Sequence, residues 1–125
     1  MSNNVRAVIS NAEGQILLVT ESDDKENWKL PGGSLESGED PITGIKRELQ
    51  EELGIDRKFM SPELKFKHLK TDDDLFDRYI FRINLGPIVI KPTGEIFRAE
   101  WFSLDKIPEG KNKQHILDAV KSSQS

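Results

Sequence analysis

The segment from Asp40 to Gly54 constrains the fold most, because it carries helix signals from start to end. Asp40 followed by Pro41 is typical of a helix N-terminus, with aspartate as N-cap and proline at the first helical position. Gly54 is placed to end the helix at C′, with Ile55 as the next apolar contact. Four apolar residues recur at helical spacing and predict a buried stripe: Ile42, Ile45, Leu49 and Leu53. Gly44 costs this helix about 1 kcal/mol against alanine, and close packing would explain it.

Beside this stripe the predicted helix has an acidic edge. Glu48, Glu51 and Glu52 fall within an arc of about 100° on a regular helix. Carboxylates at this spacing repel each other, and a divalent cation turns the repulsion into binding. Their hard oxygen ligands suit Mg²⁺ or Mn²⁺. The spacing alone leaves a second interpretation open, an acidic helix face that is merely solvated.

Two further charged residues belong to the same pattern. Arg47 lies one turn before Glu51 and can hold it by a charge-assisted hydrogen bond. Glu39, just before the helix, is placed to pair with Arg47 from the other side. We therefore expect an ordered charge network rather than a loose row of side chains.

The N-terminal third predicts strands. Residues Val5–Ser10 and Gln15–Thr20 flank a turn at Asn11–Gly14, which indicates a hairpin. Glu21–Asn27 is entirely polar and predicts a loop. Trp28–Gly33 predicts a short extended piece that ends in a double-glycine turn.

After the helix, Leu64–Lys70 and Leu75–Leu85 predict two strands around an acidic turn at Asp72–Asp74. Glu95–Leu104 predicts another strand, and Lys113–Lys121 predicts a final helix. Strands before and after a central helix indicate an α/β fold with helices packed on a mixed sheet. The length of 125 residues suits a single domain over residues 1–125.

Composition excludes several classes of protein. The chain has no cysteine, which rules out disulfides and thiolate chemistry. Its net charge of −4 argues against strong nucleic-acid binding, which needs a basic surface. No signal peptide or membrane-length apolar run is seen, so we expect a cytoplasmic protein without a membrane partner. A phosphate-bearing substrate would then need local cations or a metal.

Residues 33–55 read GSLESGEDPITGIKRELQEELGI, and this run resembles the Nudix box of the Nudix (MutT-like) hydrolases at every specified position. A chance match is on the order of one in 10⁹ per starting position. The lead-in Trp28–Gly33 and the later Ala99–Leu104 also resemble the family. The resemblance covers most of the chain, and it implies an α/β/α sandwich around a mixed sheet.

The resemblance implies a metal-dependent hydrolase in which water attacks a diphosphate phosphorus. Glu48, Glu51 and Glu52 would bind Mg²⁺, with Mn²⁺ as a substitute, and the Gly32 carbonyl is a further candidate ligand. Arg47 would orient these carboxylates. Glu39 and Gly33 would give structural support. The general base stays open between a box glutamate and a later acidic residue.

Other site residues are less constrained by the sequence. Glu95 precedes the Trp101 strand and is our candidate for a metal or water partner, against the alternative of an exposed strand-end glutamate; Glu100 is a weaker candidate. Four residues are candidates for substrate binding, although each also fits a surface or core role: Arg6, Lys29, Arg78 and Tyr79. Phe76 and Phe81 could stack a base or lie in the core. His68 and His115 are assigned no role.

The leading substrate class is a nucleoside di- or triphosphate or a related nucleotide derivative. The features expected of hydrolases of ADP-ribose, of diadenosine polyphosphates and of coenzyme A are absent from the corresponding places. Capped RNA ends and non-nucleotide diphosphates remain alternatives, as does a nucleotide-binding sensor that has lost catalysis. Intact box glutamates favour the enzyme over the sensor. Both a monomer and a homodimer stay open.

Overall fold

The computed structural model describes residues 3–68, 77–85 and 89–124. Within these residues, seven strands and two α-helices follow each other. The strands are β1 (Asn4–Ser10), β2 (Ile16–Glu21), β3 (Asp24–Lys29), β4 (Gly32–Ser34), β5 (Pro62–His68), β6 (Arg78–Asn84) and β7 (Ile96–Phe102). The helices are α1 (Pro41–Leu53) and α2 (Lys113–Ser123), with short 3₁₀ turns at Arg57–Phe59 and Leu104–Lys106.

The strands form one mixed sheet around β1. Strands β3, β2, β1, β6 and β5 lie side by side in this order, with β4 added on β1 and β7 added on β2. Strands β1 and β6 run parallel, and the other pairs are antiparallel. The predicted hairpin is confirmed, since Ser10 of β1 pairs with Ile16 of β2. The long connection between the parallel strands contains α1.

Each face of the sheet is covered by one helix. On the first face Val5, Ala7 and Ile9 of β1 pack with Ile45, Leu49 and Leu53 of α1. On the other face Val8 of β1 and Ile80 of β6 pack with residues of α2: Ile116, Ala119 and Val120. Alternate residues of β1 thus serve opposite cores, as the pleat requires. This confirms the predicted α/β fold, an α/β/α sandwich around a mixed sheet.

Helix α1 begins and ends as predicted. The Asp40 carboxylate accepts from the backbone N–H groups of Ile42 and Thr43, at 3.1 and 3.3 Å. Gly54 adopts a left-handed conformation, φ 67°, which glycine tolerates without strain. Gly44 is buried against Leu35, so the close packing expected of it is confirmed.

The prediction of a loop at Glu21–Asn27 is wrong for the second half of this polar segment. Asp24–Lys29 forms strand β3, which pairs with β2. This strand lies at the end of the sheet order, and none of its six residues is fully buried. An edge strand needs no apolar alternation, and for this reason the hydrophobic pattern missed it.

Several smaller expectations need correction. Ile42 is not buried, being 45% exposed, because the first turn of α1 packs through Gly44 instead. The double glycine is not a turn, since Gly32–Ser34 is strand β4 paired with β1. Strand β7 is shorter than Glu95–Leu104, and Glu95 lies in the turn before it.

The strands predicted at Leu64–Lys70 and Leu75–Leu85 are observed as β5 and β6, whose bounds are Pro62–His68 and Arg78–Asn84. The acidic turn at Asp72–Asp74 lies outside the described residues. The final helix continues two residues beyond Lys121, to Ser123. Among the described residues, no helix is both long and apolar enough to cross a membrane.

Candidate active site at the β4–α1 junction

Strand β4 faces the acidic edge of α1. The backbone N–H of Gly32 donates to the Glu52 Oε1 at 2.9 Å, although the two residues are twenty apart in sequence. Gly33 faces Glu48, since a Cβ placed on it would lie 2.6 Å from the Glu48 Oε1. The two glycines therefore bring backbone against two carboxylates. A Cβ would clash with the Val5 carbonyl at Gly32 and would displace the Glu48 carboxylate at Gly33.

Arg47 is the centre of a charge network at this junction. Its Nε and Nη2 donate to the two Glu39 carboxylate oxygens at 2.8 and 2.9 Å, a bidentate pair. Its Nη1 donates to Glu48 at 3.1 Å and to Glu51 at 3.2 Å. Its Nη2 also reaches the Ser34 carbonyl at 3.1 Å. Arg47 thus links the loop before α1, which carries Glu39, with strand β4 and the acidic edge of α1.

The Glu39 carboxylate is held by more than Arg47. It also accepts from the Glu36 backbone N–H at 3.0 Å. The Arg47 guanidinium and this N–H lower the pKa of Glu39 to about 2. In turn, hydrogen bonding to Glu39 raises the pKa of Arg47. Both groups therefore stay charged at neutral pH, as a brace for the helix requires.

The two carboxylates nearest β4, those of Glu48 and Glu52, are partly buried, and burial disfavours their charged forms. Burial raises the pKa of Glu52 to about 7, and the charge of Glu48 adds to this, while the Gly32 N–H opposes it. Burial also raises the pKa of Glu48, against the lowering effect of Arg47. Two partly buried carboxylates side by side favour a cation or a proton between them.

The C-terminal end of α1 is held by a segment that the sequence did not single out. The Lys91 N–H donates to the Leu53 carbonyl at 3.0 Å, and the Thr93 N–H donates to the Glu52 carbonyl at 2.9 Å. The Thr93 hydroxyl donates to the Glu51 carbonyl. These contacts satisfy carbonyls that a helix end leaves open, and they fix the backbone under two glutamates.

Comparison with known proteins identifies the family. The NUDIX domain family matches residues 2–121. This chain belongs to the Nudix family. A MutT-like protein of Streptomyces ambofaciens is 31% identical over 122 residues, covering 95% of this chain and 77% of that protein. The phosphatase NudJ of Escherichia coli is 31% identical over 118 residues, covering 90% and 76%.

A third relative matches over a shorter stretch. The RNA pyrophosphohydrolase of Rhodospirillum rubrum is 40% identical over 50 residues, which is 40% of this chain and 30% of that protein. The chain thus corresponds to less than a third of that relative's length. The names of these relatives support the prediction of a Nudix pyrophosphohydrolase.

Solved structures give the same fold. A crystal structure of a UDP-X diphosphatase superposes with a TM-score of 0.77 at 25% identity, covering 98% of this chain and 61% of the other. An ADP-ribose pyrophosphatase from Streptococcus suis gives a TM-score of 0.72 at 26% identity, covering 99% and 92%. The sandwich described above is therefore the Nudix fold.

The Nudix box glutamates suit a divalent cation by their chemistry. Glu48 and Glu52 offer hard oxygen ligands of the kind that Mg²⁺ prefers. Burial disfavours their negative charge, and a bound cation would offset this cost. The Glu51 side chain, by contrast, is 59% exposed. Within residues 3–68, 77–85 and 89–124, no three His, Asp or Glu side chains surround one point that could hold a metal. The three-glutamate cluster stays a prediction.

The predicted substrate residues lie in different surroundings. Arg6 is partly buried, and its Nη1 donates to the Leu30 carbonyl at 3.1 Å. Lys29 forms an ion pair with Glu21. Arg78 lies opposite Asn4 at the start of β6 and contributes to the charge around Arg6.

Two aromatic candidates lie on the α1 side of the sheet. Tyr79 packs against the core beneath α1 and is partly buried, and Phe81 is fully buried there. Phe81 is therefore a core residue and not a base-stacking surface. Phe76 lies outside the described residues, whereas His68 is on β5 and His115 is on α2.

The later acidic candidates lie on β7 or before it. Glu95 is exposed, and its carbonyl accepts from the Ser22 N–H at 2.8 Å. Its charge acts on Lys29, since it opposes the lowering of the Lys29 pKa that burial causes. Glu100 is exposed and pairs with Leu18 across the sheet. A role for Glu95 as a metal or water partner remains a prediction.

We expect Gly33→Ala to lower turnover about 100-fold without unfolding the protein, because its Cβ would displace the Glu48 carboxylate by about 1 Å. Gly33 itself lacks the positive φ that would add backbone strain to an alanine, unlike its neighbour Gly32. Steady-state kinetics and circular dichroism of the purified variant check this result. Ser34→Ala is the control, because it places an alanine at the next, exposed position of the same strand. Wild-type turnover by Gly33→Ala would contradict the placement of Glu48.

Proposed function

We propose that this chain is a divalent-cation-dependent pyrophosphohydrolase that cleaves the diphosphate linkage of a nucleoside di- or triphosphate or a related nucleotide derivative. One observation carries the proposal: Glu48 and Glu52, partly buried on one helix, converge on the backbone of a glycine pair. Such carboxylates are costly to keep charged unless a cation accompanies them. Family membership supports the same activity.

Glu48 and Glu52 are the residues that would hold the cation, with Glu51 and the Gly32 carbonyl as further candidates. When bound, the cation would neutralise charge on the diphosphate oxygens and on the leaving group. Arg47 keeps Glu48 in place through its hydrogen bond, and Glu39 keeps Arg47 in place. The network thus orients the ligands before any substrate arrives.

The reaction transfers one phosphoryl group to water. The water oxygen forms a bond to one phosphorus as the bridging oxygen–phosphorus bond breaks, and the bridging oxygen leaves on the other product. The water proton needs an acceptor near the site. A glutamate of the Nudix box and Glu95 are the two candidates for this acceptor.

The relatives widen the range of substrates worth testing. The RNA pyrophosphohydrolase, the UDP-X diphosphatase and the ADP-ribose pyrophosphatase act, by their names, on three different kinds of diphosphate. The net charge of −4 disfavours a long RNA chain, because its phosphates would be repelled. We therefore favour a small nucleotide and keep an RNA 5′ end as the second candidate.

Product release from a substrate panel tests the proposal. The panel contains nucleoside triphosphates, nucleotide sugars, ADP-ribose, dinucleotides and a capped dinucleotide, each with Mg²⁺ and with a chelator. We expect one class to be cleaved and the chelator to abolish cleavage. If no member is cleaved while a nucleotide still binds, the protein is a sensor and the proposal is wrong.

Three further expectations remain proposals. We infer a single catalytic domain over residues 1–125, a cytoplasmic location, and a monomer or homodimer without strong nucleic-acid binding and without a membrane partner. The partner of the proposed reaction is the small nucleotide substrate.

A further inference from the structure

Arg6 is a partly buried arginine next to the segment that leads into β4. It is on β1, where it pairs with Gly32 of β4 on one side and with Ile80 of β6 on the other. Its neighbours along β1, Val5 and Ala7, are fully buried in the core beneath α1. A cationic side chain at such a place needs a reason, because burial disfavours its charge.

The guanidinium of Arg6 fastens the segment that leads into β4. Its Nη1 donates to the Leu30 carbonyl at 3.1 Å. The next residue on β1, Ala7, donates its N–H to the Pro31 carbonyl at 2.9 Å. The residue after that proline is Gly32, whose N–H holds Glu52 at 2.9 Å. A continuous chain of contacts therefore runs from Arg6 to the Glu52 carboxylate.

The charge of Arg6 also acts on the glutamates. Glu52 and, to a lesser degree, Glu48 attract the Arg6 guanidinium, which offsets part of the cost of burying it. As a cation, Arg6 would by itself oppose the binding of a metal ion next to it. Its benefit to the site must therefore come from the contacts.

We propose that Arg6 is a positioning residue for Glu52, which acts by holding the Leu30–Gly32 segment and not by touching the substrate. This inference rests on the proposed function, since it assigns Glu52 to metal binding. It replaces the sequence-based expectation that Arg6 meets a phosphate. A residue that orients a metal ligand from behind typically changes metal affinity 10- to 100-fold when it is lost, and we expect about 10-fold here.

Mn²⁺ binding without nucleotide separates positioning from simple charge. Removing a cation beside an acidic site strengthens cation binding, whereas loss of ligand orientation weakens it. We therefore expect Arg6→Met to bind Mn²⁺ about 10-fold more weakly than wild type in a titration followed by electron paramagnetic resonance. Equal or tighter binding by the folded variant would overturn the proposal.

Kinetics give the second readout. For Arg6→Met we expect kcat to fall about 10-fold while KM changes less than about threefold, because the substrate is not contacted. A higher KM with unchanged kcat would overturn the proposal and return Arg6 to phosphate binding. If Arg6→Met does not fold, Arg6→Gln takes its place, and the same two results are expected. The glutamine side chain is neutral and shorter than arginine, so it does not reach the Leu30 carbonyl as the guanidinium does.

Arg82→Met is the matched control. Arg82 is a partly buried arginine on β6, and it lines a separate cavity of about 260 Å³ together with Val8 and Val120. We expect its loss to leave Mn²⁺ affinity unchanged. Failure of wild-type protein to bind Mn²⁺ would overturn the proposed function itself. Normal binding by both wild type and Arg6→Met would overturn only the role of Arg6.

Discussion

Glu52→Gln will abolish turnover and at the same time make the metal-free protein more stable above pH 7. Turnover should fall at least about 10³-fold, roughly 4 kcal/mol of transition-state stabilisation, because the amide is a poor metal ligand and no base. The amide oxygen can still accept from the Gly32 N–H, so the fold keeps this contact. The loss therefore reports on chemistry and not on unfolding.

The gain in stability follows from the raised pKa of Glu52. Burial raises this pKa to about 7 in the folded chain, while an unfolded glutamate has 4.5. The folded state thus binds the proton more tightly, and it loses stability as pH rises from 4.5 through 7. A difference of this size corresponds to about 2 kcal/mol after allowance for solvent screening. Glutamine does not titrate and avoids this loss.

Urea unfolding in the presence of a chelator measures the effect. The free energy of unfolding of Glu52→Gln should exceed that of wild type by about 2 kcal/mol at pH 8 and should match it near pH 4.5. Glu13→Gln, an exposed glutamate in the turn before β2, controls for the change of net charge. A variant that is less stable than wild type at pH 8 would contradict the raised pKa of Glu52 in the folded protein.

Arg47→Met will weaken both the fold and the activity. Its side chain is 14% exposed, and it holds Glu39, whose side chain is 10% exposed, by two hydrogen bonds. Its loss leaves Glu39 and Glu48 without their cation. We expect a loss of about 3 kcal/mol in the free energy of unfolding, as for other broken buried pairs, and a roughly 100-fold loss of turnover.

A double-mutant cycle with Glu39→Gln assigns the source of this loss. If the bidentate pair carries it, the two single changes should not add, and the interaction energy should reach about 1–2 kcal/mol. Arg57→Met is the control, because Arg57 is exposed and its Nε donates to Gln50 on the surface, so its removal should cost under about 0.5 kcal/mol. Additive effects of Arg47→Met and Glu39→Gln would show that the pair contributes little.

Local signals in the sequence predicted α1 well. Asp40, Pro41 and Gly54 act within one turn of their own position, so propensity and capping suffice to place both helix ends. The pairing of Arg47 with Glu39 and Glu51 was also predictable, because the three residues lie within α1 and the loop just before it. Such features are defined by residues close together in the sequence and depend little on distant segments.

Features that depend on distant segments were missed. Strand β3 is polar because it lies at the sheet edge, and only pairing with β2 defines it. Ile42 fits the apolar stripe, yet the first turn of α1 packs through Gly44, and Ile42 stays exposed. The contacts of Arg6 with Leu30, and of Thr93 with Glu51, join segments far apart in sequence. No periodicity or motif encodes these contacts.

The most direct test of the account is hydrolysis in ¹⁸O-enriched water followed by ³¹P NMR. Wild-type protein and Glu52→Gln are each mixed with Mg²⁺ and the substrate class that the panel selects. We predict that wild type converts the diphosphate signal into products of which one carries ¹⁸O on phosphorus, and that Glu52→Gln leaves the diphosphate intact. Equal rates for the two proteins, or products without ¹⁸O, would contradict water-dependent hydrolysis at the β4–α1 junction.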